Sequence, residues 1–321
     1  MHNEKEYLTI DEQISLLKDK GLIIDNEKIA RKYLKQVGYY KLINGYREPF
    51  MFKFKNKGIE QHKFVENTTI SELFYLYNFD QDLKNLIFKH ICQIEVFIKS
   101  LMSDLISRKY GVKQDDYLKQ DNFKSDKETQ KNFIEIQTDI LNTIKLQNGK
   151  HKAITWYAEN YGYYPFWVVA NVLSLGTISL LYSKLKQPDQ FEISNSFGLK
   201  SKIFESMLMT LLLFRNACAH NEVIYNFKTI RSLAQKEISF IYEKFNIPKD
   251  PKNGRYKFGT NDVFALIIIY KLLLDKSQFN EFISKFKSIL NKLKKKVDEQ
   301  MYNGILLSMG IVGDLEILKT I

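Results

Sequence analysis

Cysteine is nearly absent, with only Cys92 and Cys218 in 321 residues and no C-x-x-C spacing. That argues against a disulfide framework or a structural zinc site, and it makes reducing cytosol the expected compartment. Proline and glycine are also scarce, at 5 and 14. With so few breaks and long stretches of helical periodicity, a mainly α fold is expected. No apolar run is long enough to span a bilayer. The longest, Val263 to Leu274, is interrupted by Lys271. Met1 to Tyr7 is charged and lacks the apolar core of a signal peptide, so a soluble cytoplasmic protein with no membrane partner is expected. Histidine is rare too, at five. His2, His62 and His151 have no helical partner at ligand spacing, and no metal or other cofactor is expected.

What is abundant is apolar and basic. A hydrophobic content of 45% can build one large core or two modest ones. Lys and Arg number 48 against 37 Asp and Glu, a net charge of +11, so the surface should attract polyanions such as nucleic acid or an anionic membrane face.

Thr9 and Glu12 make a capping box for a first short helix that stops at Gly21. Asp25 is placed to cap a second, carrying Ile29, Tyr33 and Leu34 and ending at Gly38. Tyr39 to Tyr46, followed by Pro49 and Phe50, reads as a loop or short strand. Ile70 to Arg108 repeats apolar residues at Leu73, Leu76, Leu83, Ile87, Ile91, Ile94, Ile98 and Leu105, which predicts one long helix with a buried face. Leu199 to Ala219 is a second strongly apolar helix, expected to pack antiparallel to the first. Phe245 to Thr260 is the best linker candidate, with a helical pair after it. The expected organisation is an N-terminal segment at 1–66, a helical body at 67–245 and a C-terminal part at 246–321.

Arg215-Asn216-Ala217-Cys218-Ala219-His220 closes the second apolar helix. A guanidinium and an imidazole are the groups that phosphodiester cleavage needs where no metal is available. Five residues on an ideal helix turn through about 140°, so the two side chains converge only if the helix ends or bends there, and Asn221 is a candidate terminator. Arg215 capping carbonyls or pairing with an acid, with His220 capping the helix end, is the plainer reading. His90, on the apolar side of the long helix, reads as a core histidine. Arg31, Lys35, Lys41 and Arg47 alternate with Tyr39, Tyr40 and Tyr46. Phosphate-binding cations among stacking rings are the ingredients of a single-strand RNA surface, and equally of an aromatic strip under solvated lysines.

The hexad resembles the R-polar-x-x-x-H signature of HEPN-type ribonucleases. A longer series resembles the AbiD/AbiF-like abortive-infection proteins of bacteria. It runs Tyr33-Leu34, Val37 to Leu42, Asn44-Gly45-Tyr46, Pro49-Phe50, Gln93 to Val96, Pro165-Phe166-Trp167, Leu173-Ser174, Gly176-Thr177, Ser179 and Tyr225-Asn226. Asn221, Glu222 and Val223 depart from the family pattern of a second histidine and a basic residue after the motif. The resemblance implies an all-α HEPN-like helical bundle with a small N-terminal helical and aromatic segment and C-terminal helices. It implies a metal-independent endoribonuclease in anti-phage defence. His220 would be the acid–base group, Arg215 would stabilise the transition state, Asn216 would orient His220, hydrogen-bond the phosphate or serve only in packing, and Glu95 would position Arg215. HEPN sites face each other across paired domains, so one motif per chain implies a homodimer. The expected partner is RNA, as single-stranded substrate or as a regulatory small RNA. The alternative is a non-catalytic RNA-binding or RNA-regulated toxin-like module.

Overall fold

The computed structural model describes residues 7–56 and 59–321. Thr9 opens helix α1 (Ile10–Asp19): the Glu12 carboxylate accepts from the Thr9 N–H at 2.7 Å, while the Thr9 hydroxyl accepts from the Glu12 N–H. Helix α2 (Glu27–Val37) ends at Gly38, whose φ of +85° suits glycine. Its cap is Asn26 rather than Asp25, the Asn26 side chain accepting from the Ile29 N–H at 3.1 Å. Asp25 instead accepts from the Ser71 hydroxyl at 2.6 Å.

The stretch after Gly38 is helical, not loop or strand. A π-turn covers Tyr40–Asn44 and a 3-10 turn covers Glu48–Phe50. Leu42, Ile43, Tyr46 and Phe50 are all buried at helical spacing, a periodicity obscured by the glycine at 45. That glycine has a packing reason: a Cβ there would meet Val223 Cγ2 at 3.1 Å. Strands β1 (Met51–Asn56) and β2 (Ile59–Phe64) form an antiparallel hairpin, Met51 opposite Phe64 and Asn56 opposite Ile59, the one sheet among the described residues.

Helix α3 (Ile70–Tyr110) has 41 residues and starts on a second capping box, Thr69 with Glu72. At 1.5 Å per residue it is about 60 Å long. After it come α4 (Gln114–Tyr117), α5 (Lys127–Gln147), α6 (Lys152–Tyr161), α7 (Phe166–Val169), α8 (Leu175–Lys184), α9 (Gln187–Asn195) and α10 (Ser201–Ala219). The chain finishes with α11 (Ser239–Lys244), α12 (Val263–Leu273), α13 (Lys276–Lys294) and α14 (Glu299–Ser308). The fold is all-α, as expected.

α3 is the axis on which α7, α10 and α13 pack. Three contacts fix the direction of α10 against it: Asn221 meets Lys84, Arg215 meets Phe88, and Phe197, just before α10, meets Phe97. One number rises as the other falls, so the two helices are antiparallel. α12 is buried continuously from Val263 to Tyr270, as befits a helix that is apolar all round. The segment from Phe245 to Thr260 is packed rather than a free linker. Phe245, Ile247 and Tyr256 are buried, and Tyr256 stacks on Tyr242 at 4.4 Å. The buried residues form one cluster from Ile14 to Leu318, shared by all three segments marked in the sequence.

Candidate active site

α10 buries Ile203, Phe204, Met207, Leu208, Leu211, Phe214 and Ala217, which anchors its last turn against α3. The helix stops because Asn221 turns left-handed, at φ +56°. The Asn221 N–H then donates to the Cys218 carbonyl at 3.1 Å and the Glu222 N–H to the Ala217 carbonyl at 2.9 Å, the paired bonds that close a helix C-terminus. His220 sits at the cap. Its N–H donates to the Asn216 carbonyl at 2.9 Å, and its ring is exposed with no hydrogen bond among the described residues. A φ of −86° leaves the imidazole near the direction a helix would give it. The structure therefore brings Arg215 and His220 to one helix end without joining them.

Arg215 is half-buried. Its Nη1 donates to Asn216 Oδ1 at 3.4 Å and its Cζ lies 6.0 Å from the centre of the Phe88 ring. Among the described residues no carboxylate pairs with it. Glu95, the residue expected to position it, is bound to Lys99 at 2.7 Å, and Lys99 also donates to the Leu173 carbonyl at 2.7 Å. The Arg215 charge does reach Cys92, one turn before Glu95: burial and Glu95 raise that thiol's pKa while Arg215 and Lys99 pull it down.

What holds the loop after α10 is a pair that the sequence reading passed over. Asp80, fully buried on α3, accepts from the Ile224 and Tyr225 N–H groups at 2.9 and 2.8 Å and from the Tyr46 hydroxyl at 2.8 Å. Lys84, one turn on and also buried, sits 2.9 Å from Asp80 Oδ2 and donates to Asn221 Oδ1 at 2.9 Å. Lys41 donates to the Asn221 carbonyl at 3.0 Å. Two lysines from distant parts of the chain thus converge on the residue that ends α10. Burial beside Lys84 lowers the pKa of Lys41. Burial, helped by the Asp80 charge, pushes the Cys218 thiol up to about 12, which keeps it a poor nucleophile. The position that departs from the family pattern, Asn221, has a structural use here: it takes the left-handed turn and receives both lysines.

The N-terminal block lies against this site, with Gly45 on Val223 and the Asn226 amide donating to Glu48 at 2.9 Å. The expected RNA-contact residues are divided. Tyr40 is 79% exposed, Lys35 is exposed, and Tyr39 and Arg47 are half-buried. Arg31 is in ion pairs with Asp11 and Glu27. Tyr46 leaves the set, because a fully buried ring that donates to Asp80 cannot stack on a base. His90 is a core residue, as expected, its Nδ1 2.8 Å from the Leu86 carbonyl. Among the described residues no group of three or more His, Cys, Asp or Glu side chains is gathered where one ion could be shared.

The Abi-like protein family matches over residues 32–226, more than half of the chain. The chain belongs to the Abi-like protein family. Membership gives it a role in abortive infection, the defence of a bacterial population against phage. In this Abi-like protein the matched range closes at Asn226, just past the two amides held by Asp80, so the match and the structural hub end together. No curated protein and no solved structure gives a match to the chain. Among the described residues of the Abi-like chain no helix is long and apolar enough to cross a membrane.

Proposed function

We propose that this Abi-like protein is a HEPN-type endoribonuclease that cleaves RNA without a metal and acts through that cleavage in abortive infection. The observation that carries the reading is the state of Arg215. It is a half-buried guanidinium with no carboxylate partner among the described residues, five positions before an exposed, unengaged imidazole. Such a cation favours an anionic ligand, and its planar fork matches two phosphate oxygens.

In the reaction His220 takes the proton from a ribose 2′-hydroxyl. The freed oxygen attacks the adjacent phosphorus, the bond from phosphorus to the 5′-oxygen breaks, and that oxygen leaves with a proton. The products are a 2′,3′-cyclic phosphate and a 5′-hydroxyl. Arg215 binds the phosphate oxygens whose charge grows in the transition state, and Asn216 fixes the guanidinium. One imidazole can take the first proton and supply the second only in turn, whereas two can perform both transfers at once. A homodimer provides them, with the His220 of each protomer near the two-fold axis. Tyr40, Lys35 and Arg47, on the block beside the site, are the proposed RNA contacts.

The test is incubation of the purified chain with single-stranded RNA in excess chelator and analysis of the new ends. Cyclic phosphate ends are expected. His220→Ala and Arg215→Ala should each lower the rate by about 10²–10⁴-fold. Neither should change the fold, since His220 is exposed and Arg215 makes no ion pair among the described residues. Cleavage that survives His220→Ala, or that chelator abolishes in the wild type, rejects the assignment. A chain that binds RNA and leaves it intact is instead a non-catalytic RNA-binding module.

A further inference from the structure

A cavity of about 730 Å³ opens between α8, α10 and the loop at 227–235. That is within the range of small-ligand sites, about 300–1,000 Å³. None of the residues assigned to RNA chemistry lines it. Two of its lining residues, Gly176 and Ser179, belong to the sequence block at 173–179 that the cleavage reaction leaves unused.

The lining is built for an organic anion. Lys184, Lys202 and Arg231 face it against a single carboxylate, Glu205. Neither Lys202 nor Arg231 has an ion pair among the described residues. Ser179 is 6% exposed and lines the same wall. Its hydroxyl can donate to an acceptor held in the cavity. Leu180, Met209 and Leu212 give the remaining wall an aliphatic surface.

Arg231 is presented to the cavity by a pinned loop. The Thr229 and Leu233 N–H groups donate to the Asn261 and Thr260 carbonyls, each at 2.7 Å, and the Ala234 N–H donates to Ser206 Oγ at 3.3 Å. Between those anchors Ile230 is 94% exposed, so the loop tip carrying Arg231 stands at the mouth rather than in the core.

We propose that this cavity is a binding site for a free nucleoside phosphate. The phosphate lies between Lys202 and Arg231 with Ser179 donating to it, the nucleoside rests on Leu180, Met209 and Leu212, and Glu205 accepts from N–H groups of the base. The assignment stands apart from RNA cleavage, since neither Arg215 nor His220 takes part.

Titration calorimetry on the full chain decides it. The probes are the four ribonucleoside monophosphates and triphosphates, inorganic phosphate, and a 5′-phosphorylated oligonucleotide. Saturable binding of at least one nucleotide is expected, weakened by about tenfold or more in Lys202→Glu and in Arg231→Glu, each a charge-assisted contact removed from an exposed side chain. His220→Ala should bind as the wild type does. No nucleotide binding at millimolar concentration overturns the proposal, as does unchanged affinity in both charge variants. Equal affinity for inorganic phosphate, or binding confined to the oligonucleotide, would show that no nucleoside is recognised here.

Discussion

Asp80 carries more of this structure than any charge legible in the sequence. An aspartate four residues before a lysine on a helix ordinarily reads as a solvated pair worth a few tenths of a kcal/mol. Glu95 with Lys99, on the same helix, reads identically. The difference lies in the stripe: Leu76, Asp80, Leu83, Lys84 and Ile87 follow the buried periodicity of α3, so the pair falls where leucines are expected. Removing one partner of a buried pair leaves the other uncompensated, at a cost of about 3–5 kcal/mol. Asp80→Ala also strands the Ile224 and Tyr225 amides, so its loss should reach that range as a lowered midpoint in denaturant. Lys84→Met should cost less, because Asp80 keeps three donors. A loss in Asp80→Ala no greater than that of a surface substitution would show that Asp80 does not hold the loop after α10. Because Asp80 and Lys84 also hold the turn after His220, RNA cleavage is expected to fall in both variants.

At the scale of elements, most of the helices were legible because their stripes are long and their ends are signalled. Thr9 with Glu12, Gly38, the span of α3 and the left-handed Asn221 all lie where local chemistry puts them. The π-turn at 40–44 was not legible, since glycine and clustered tyrosines suggest a loop until tertiary packing buries Leu42 and Ile43. The 245–260 segment misled for the same reason: prolines, glycines and lysines conceal three buried rings and aliphatics, Phe245, Ile247 and Tyr256. In the candidate site the hexad was readable, while its support from Asp80, Lys84 and Lys41 depended on contacts more than a hundred residues apart in sequence. His90 gives the element-scale prediction. Its ring is wedged between Tyr270 of α12 and Phe282 of α13, with centroids 5.8 and 5.1 Å away, and so ties both helices to α3. Burial holds its pKa below the ordinary 6.5, reinforced by Lys89 and Lys285 and opposed by the Leu86 carbonyl and Glu281. The unfolded chain therefore binds a proton that the folded chain refuses. Stability supplied by the neutral ring is fully present above about pH 7 and falls as the pH drops below 6.5, by up to about 1.4 kcal/mol per unit. Denaturant unfolding at pH 7.5 and 5.5 should show a smaller drop for His90→Leu than for the wild type. Equal drops would mean the ring is protonated in the folded protein.

At the scale of the whole molecule, the long helix that anchors the site also offers a surface beside it. Phe88, which lies against Arg215, and Val96, two turns further on, fall on one face of α3 with Cys92 between them. They are 36% and 69% exposed. Apolar side chains aligned over two turns next to a half-buried cation with no ion pair among the described residues form the kind of face that a two-fold partner would cover, since an isologous contact repeats the same patch on both protomers. Covering it with a second copy would bring the two Arg215 side chains, and the His220 imidazoles beyond them, towards one axis. The positive charges gathered there oppose the contact and a polyanion between them relieves that repulsion, so RNA should tighten the dimer and salt should weaken the gain that RNA gives. Light scattering at micromolar concentration is expected to give twice the mass of the 37.9 kDa chain. Val96→Glu, which puts a carboxylate on each side of the axis, should yield a folded monomer that has lost RNA cleavage with Arg215 and His220 untouched. If Val96→Glu remains a dimer, the interface lies elsewhere. If the wild type is a monomer that still cuts RNA in chelator, one His220 is performing both proton transfers in turn, and the paired site has no place in the mechanism.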